Sequence, residues 1–181
     1  MSQKPETLLW NRLKEKIPQH WNVTRIENRF GGGVPDVHIC AEGISFWVEL
    51  KTTKTNRINI SSHQVAWNFA YSKSGGVSFF LVHPLKGGNL YLFDGSLGRE
   101  LATHGLAMSG SGLKTGTEPR TAVRCLWSGS GLDELWSRVL EIGRGRVGVG
   151  SSEQSGSGPS MGSGRRRVGR HRGHGWLVSG G

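Results

Sequence analysis

The sequence predicts an α/β fold, a mixed central β-sheet flanked by helices, from three features. Two short runs that alternate apolar and polar residues flank Glu42-Gly43, as in a β-hairpin closed by a two-residue turn. Val77 to Val82 is a near-continuous apolar run suited to a buried central strand. Segments with helical spacing lie on either side of the hairpin, at residues 5–17 and 61–72. The order helix, strand, hairpin, helix, strand, strand describes a sheet held between helical layers. With 181 residues the chain has room for one core of ordinary size.

The first helix, 5–17, carries Leu9, Leu13 and Ile17 at four-residue spacing. Pro5 suits its first turn and Pro18 ends it. Glu6, near its N-terminus, complements the helix dipole as a surface acid would. Residues 21–30 alternate loosely as a first strand, with Arg25, Glu27 and Arg29 on one face and Ile26 and Phe30 on the other. Gly31-Gly32-Gly33 follows without the Lys-Ser/Thr ending of a phosphate-binding loop, so nucleotide binding is not expected there. After the hairpin, Thr52 to Arg57 reads as a polar, basic loop. In the helix that begins at Ser61, Val65 and Phe69 share a face with Trp67 and Ala66 beside it. Ser61 as N-cap and Gln64 as its third residue form a capping-box pattern. Asn89 to Phe93 makes a further strand, and Leu97 to Leu106 a short helix. Residues 109–119 and 128–131 are Gly/Ser-rich interruptions, and Leu132 to Ile142 reads as a last amphipathic helix. Three units are therefore expected: a core at 1–95, an extension at 96–142, and a disordered Gly/Ser/Arg-rich basic tail at 143–181.

The formal charge is +10, which favours a polyanionic partner. Seven arginines (144, 146, 165, 166, 167, 170, 172) against Glu153 place +6 of it in the tail, leaving about +4 on the body. Arg165 to Arg172 reads equally as an electrostatic arm or as a terminal extension. Cys40 and Cys125 have neither zinc-ligand spacing nor the look of a disulfide framework. With no long apolar run and no signal-peptide pattern, a cytoplasmic, reducing setting and no membrane partner are expected.

The hairpin carries the chemistry. One face reads Val37, Ile39, Ala41, Ile44, Phe46, Val48, Leu50, and the other Asp36, His38, Cys40, Ser45, Trp47, Glu49, Lys51. Burying the apolar face is worth roughly 1.5–3 kcal/mol per large side chain. On the polar face Asp36 falls opposite Glu49, about 5 Å away. At an effective dielectric of about 20 their repulsion is about 3 kcal/mol. A shared proton, the ammonium of Lys51 or a divalent cation with hard oxygen ligands would offset it, and the cation is the most economical. His38, on the same face, is open to a ligand or proton-carrier role, or to stacking on cross-strand Trp47.

Pro35-Asp36, followed by Glu49-Leu50-Lys51, resembles the signature of the PD-(D/E)xK nucleases. Gly-Val-Pro-Asp, Val-Glu-Leu-Lys-Thr and Ser-Ser-His-Gln, within residues 6–95, are similar to the VRR-NUC branch and the archaeal Holliday junction resolvases related to it. The resemblance implies a restriction-endonuclease-like core. It also implies a Mg²⁺ ion, replaceable by Mn²⁺, held by Asp36, Glu49 and the Leu50 carbonyl. Lys51 would orient the attacking water or stabilise developing charge, and Gln64 would position Lys51 or the phosphate. Glu6, with Glu15 as a weaker substitute, would be the acid from the first helix. Arg29, Lys54 and Arg57 are candidate phosphate contacts, and the glycine triplet a backbone that approaches DNA.

The expected activity is a metal-dependent endonuclease acting on double-stranded or branched DNA, in DNA repair or recombination, in a phage or prokaryotic context. Junction resolution needs two active sites on opposed strands, which brings in a homodimer. A restriction-type or nicking nuclease and a non-catalytic nucleic-acid-binding module are the alternatives.

Overall fold

A computed structural model describes residues 3–26, 32–106 and 123–149, with side chains as far as Arg146. A mixed six-stranded sheet lies between helices, the α/β class expected. The strands are β1 (Asn22–Arg25), β2 (Val37–Ala41), β3 (Ile44–Thr53), β4 (Val77–Pro84), β5 (Leu90–Asp94) and β6 (Cys125–Gly129). They lie side by side in chain order. Only β3 and β4 run parallel; the other neighbours are antiparallel. A parallel pair needs a crossover, and α2 (Ser62–Lys73) supplies it. The remaining helices are α1 (Pro5–Lys14), α3 (Gly98–His104), preceded by a 3-10 turn at Gly95–Leu97, and α4 (Leu132–Val149). No helix among the described residues is long and apolar enough to cross a membrane.

The hairpin forms in the expected register, with Val37 opposite Val48, Ile39 opposite Phe46 and Ala41 opposite Ile44. Its turn places both Glu42 (φ 50°) and Gly43 (φ 80°) in left-handed backbone, the twist-matched two-residue turn. All seven residues of the apolar face are buried. They join Leu9, Trp10 and Leu13 of α1 and Leu135, Trp136 and Val139 of α4 in one core. On the opposite face Phe80, Val82 and Phe93 form a smaller core with Ile58, Leu101 and Val123. α2 and α3 lie on that side.

Several boundaries differ from the sequence reading. α1 ends at Lys14, and the chain reaches Ile17 by tighter turns, because Pro18 disfavours helical backbone at the residue before it. The residue α2 buries is Asn68, whereas Phe69, on the apolar face read from the spacing, is 49% exposed. β6 was not foreseen. It pairs with β5, so the segment after residue 95 completes the same sheet. α4 continues past residue 142, where a tail was expected to begin. Arg144 pairs with Glu42 at the hairpin turn, and Arg146 with Asp94 at the end of β5. Those ion pairs hold a glycine-containing segment that composition reads as disorder. From residue 150 the expected tail lies outside the described residues, as do Glu27 and Arg29.

Left-handed backbone costs a non-glycine residue roughly 1–2 kcal/mol, and asparagine tolerates it better than glutamate. The exposed Glu42–Arg144 pair returns little of that cost. Glu42→Asn should therefore raise stability by about 0.5 kcal/mol, read as a higher urea midpoint at unchanged slope.

Candidate active site

The register that sets Val37 against Val48 places Asp36, one residue before β2, against Glu49. Asp36 is oriented from both ends. Its main-chain carbonyl accepts from Ile26 N–H at 2.8 Å, and its Oδ2 accepts from Leu50 N–H at 2.8 Å. Glu49 is 1% exposed, beside fully buried Phe80 on β4. Its Oε1 accepts from Gln64 Nε2 at 2.5 Å and lies 3.1 Å from Lys51 Nζ. Its Oε2 is buried and has no hydrogen-bond partner among the described residues.

Gln64 joins the second helix to the strand. Its Oε1 accepts from Lys51 Nζ at 2.9 Å and from Ser61 N–H at 3.1 Å, while its N–H donates to Ser61 Oγ. The capping box and the contact with Glu49 and Lys51 therefore coexist. The amide oxygen accepts from both Ser61 N–H and the Lys51 ammonium, and the amide nitrogen donates to Glu49. Asn68, fully buried one turn on, donates through Nδ2 to the Gln64 carbonyl at 2.9 Å.

Gly33 fixes the approach of these elements. It sits at φ 69°, and a Cβ there would lie 2.1 Å from the His63 carbonyl oxygen. The segment leading into Pro35-Asp36 is thus pressed against the first turn of α2. This member of the glycine triplet serves a close approach within the chain.

Burial pushes the Glu49 carboxyl up to about 7, and the Asp36 charge adds to that while Lys51 opposes it. Burial also raises Asp36, against the Leu50 amide and the charges of Lys51 and Arg25. For Glu6 burial raises the carboxyl too, but hydrogen bonds from Thr52 and from main-chain amides outweigh it, and the group lies below its ordinary value.

The other predicted residues are placed unevenly. Glu6 Oε1 accepts from Thr52 Oγ1 at 2.6 Å, so α1 brings its acid to the end of β3. Thr52 belongs to the opposite strand face from Glu49 and Lys51. Among the described residues no three His, Cys, Asp or Glu side chains gather closely enough to hold an ion by themselves. Glu15 is exposed just after α1. Lys54 and Arg57 are exposed in the loop after β3, which Thr53 Oγ1 pins by donating to the carbonyls of Thr55 and Arg57. His38 packs against Trp47 with ring centres 4.6 Å apart and planes tilted by 43°, and its Nε2 is 2.7 Å from Ser45 Oγ.

Arg25 was underweighted by the sequence reading. Its charge is felt at Asp36, and its guanidinium lies 5.7 Å from the centre of the Trp10 ring. In the sequence it is one of several polar residues on a loosely alternating strand, so no pattern separates it from Arg29. Asn68 did leave a signal, a polar residue four positions after Gln64 in a helix otherwise read for apolar contacts.

No protein-family model and no curated protein matches the chain. Among solved structures it is similar to a Holliday junction resolvase from the archaeal hyperthermophile Archaeoglobus fulgidus. That likeness has 14% identity and a TM-score of 0.39, and covers 51% of this chain and 75% of that one. It is also similar to a bacterial homing endonuclease, at 14% identity and a TM-score of 0.42, over 80% of this chain and 91% of that one. At these values neither likeness assigns an activity.

Because Asp36 and Glu49 both lie above their ordinary values, the folded chain binds protons more tightly than the unfolded chain. Their contribution to stability is complete below the ordinary carboxylate range and is lost as pH rises through about 7. In EDTA the urea midpoint should fall from about pH 5 to about pH 8, and Glu49→Gln should remove most of that slope. A slope unchanged in the variant would place the titration elsewhere.

Gln64→Glu separates the two roles of that side chain. Glutamate also completes a capping box, so helix content should be kept. The carboxylate can still accept from Lys51 but cannot donate to Glu49, and it adds a like charge, so the Glu49 carboxyl should titrate at higher pH than in the unsubstituted chain, read from its carbon-13 shift by NMR. An unchanged titration would show that the amide donor does not hold Glu49.

Proposed function

We propose that the chain is a Mg²⁺-dependent endonuclease that hydrolyses DNA phosphodiester bonds, with branched DNA as its preferred substrate. The observation that supports this most directly is Glu49. A carboxylate is buried against Phe80, faces a second acid, and keeps one oxygen without a hydrogen-bond partner among the described residues. An isolated buried charge is costly, and a hard divalent cation is the partner that such oxygens fit. Asp36, Glu49 and the Leu50 carbonyl would hold it, and when bound it would neutralise a phosphate oxygen and acidify a water.

The remaining work falls to this chain's own groups. Lys51, held by Glu49 and Gln64, brings an ammonium to the site and would stabilise negative charge developing on the phosphate. Gln64 is a positioning residue, since it acts through Lys51 and Glu49. The Leu50 amide keeps Asp36 turned toward Glu49. Glu6 and Arg25 would act from the rim, through Thr52 and through charge on Asp36. A purely binding module has no use for a buried acid pair, which makes that alternative the weaker one.

Supercoiled plasmid and a four-way junction, each incubated with Mg²⁺ or with EDTA, test the reading. Cutting should need the cation and should be faster on the junction. Asp36→Asn and Glu49→Gln should bring it below detection, and Lys51→Met should slow it by about a hundredfold or more. Cutting by either acid variant at the unsubstituted rate would sink the site assignment. Light scattering should give a dimer, because resolution of a junction needs paired cuts. A strict monomer with normal plasmid activity would favour a nicking enzyme.

A further inference from the structure

Beside the acids lies a row of aromatic side chains that the proposed chemistry does not use. His38 of β2 packs against Trp47 of β3, ring centres 4.6 Å apart and planes tilted by 43°. Trp47 meets Trp67 of α2 edge to face at 5.4 Å, and Trp67 stacks on Tyr71 at 4.8 Å with ring planes 18° apart. The row is tied to the site through the backbone. Trp47 is one strand period before Glu49, and Trp67 is three residues after Gln64, so both indoles flank the Glu49–Gln64 contact on the same two elements.

Core packing does not account for this row. Trp47, Trp67 and Tyr71 are all only half-buried, Phe69 is exposed, and the residue α2 buries is the polar Asn68. The helix thus carries three aromatic residues and seals none of them. The surrounding charge is one-sided. From Thr52 to Phe93 the chain contains no Asp or Glu, while it contains Lys54, Arg57, Lys73 and Lys86. Lys54 and Arg57 are exposed just beyond Lys51. Partly exposed aromatic side chains next to basic residues, with the paired acids Asp36 and Glu49 at one end, are the make-up of a surface for single-stranded nucleic acid, in which bases stack and phosphates meet ammonium and guanidinium groups.

We infer that the Trp47–Trp67–Tyr71 surface binds a DNA strand with unpaired bases and delivers it to the Asp36–Glu49 site. The inference deepens the nuclease reading and rests on it for the use made of the bound strand. Paired bases in a duplex keep their faces stacked on one another and cannot lie on the indoles, so the surface selects forks, flaps and junction arms over intact duplex.

The test uses the full chain carrying Asp36→Asn, in EDTA, with a fluorescent oligothymidylate and a duplex of the same length at one salt concentration. The oligothymidylate should bind more tightly than the duplex. Trp67→Leu on that background should weaken it by about fivefold or more, the lower end for one base on one aromatic ring. Trp67→Phe should restore binding, and duplex affinity should not follow either change. Equal loss for both ligands, or no loss for the single strand, would overturn the inference. Photocrosslinking of an iododeoxyuridine oligonucleotide to the chain with unsubstituted tryptophans avoids any folding defect. Adducts should map to the peptides bearing Trp47 or Trp67, and adducts confined to the Arg165–Arg172 stretch would overturn it. A failure of the unsubstituted chain to cut any DNA with Mg²⁺ would count against the nuclease reading separately, since these binding measurements need neither cation nor cleavage.

Discussion

The fold is arranged around one unfavourable contact, a buried glutamate facing an aspartate. Glu49 sits on the third strand of a six-stranded sheet, bonded to an antiparallel neighbour on one side and a parallel one on the other. The two ladders fix its backbone, and Gln64 and Lys51 hold its carboxyl. Each nearby feature has a place in holding that contact. Gln64 and Lys51 share one Glu49 oxygen, Leu50 N–H takes one Asp36 oxygen, and Gly33 brings the loop before Asp36 against α2.

The two faces of the sheet divide the labour. Beneath β2 and β3, α1 and α4 close a continuous apolar core with the side chains alternate to the acids. That core supplies rigidity, because every second residue of β3 is locked by it. The acid-bearing face has a smaller core that stops at Phe80 and Val82. Glu49 and Lys51 lie directly beside those two residues in the register. Low polarity on that side and the charge of Asp36 raise the Glu49 carboxyl, and the Lys51 ammonium opposes them. Residues distant in sequence contribute as well, since α4 is bound to the hairpin turn through Arg144 and to β5 through Arg146.

The hairpin, its faces and its register were legible because strand periodicity and a two-residue turn leave one solution. Asp36, Glu49 and Lys51 were legible for the same reason. Gln64 was half legible, since a capping box is written in the sequence but the second end of the amide is not. The helix was misjudged at Phe69 because apolar spacing does not say which side of a helix a sheet will offer. β6 escaped because its pairing with β5 spans a long separation, and Ser and Gly at its end resemble a linker. The last turns of α4 escaped because Gly143 and Gly145 count against a helix, while the acids that hold Arg144 and Arg146 are far away in the chain.

The resting network bears on how a cation would be received. Lys51 and Gln64 engage the Oε1 oxygen of Glu49, and Leu50 N–H engages Oδ2 of Asp36. The Glu49 oxygen without a partner among the described residues is the other one, Oε2. A divalent ion could therefore use that oxygen while Lys51 stays bonded to Gln64 and to Oε1. Its arrival would reverse the effect of burial, because a neighbouring positive charge favours the ionised carboxylate. The proton that Glu49 holds up to about pH 7 would be released on binding. Affinity for the ion should then rise with pH over the range in which Glu49 titrates. That coupling comes from the placement of a single strand residue beside Phe80, with its partner acid fixed one register position before β2.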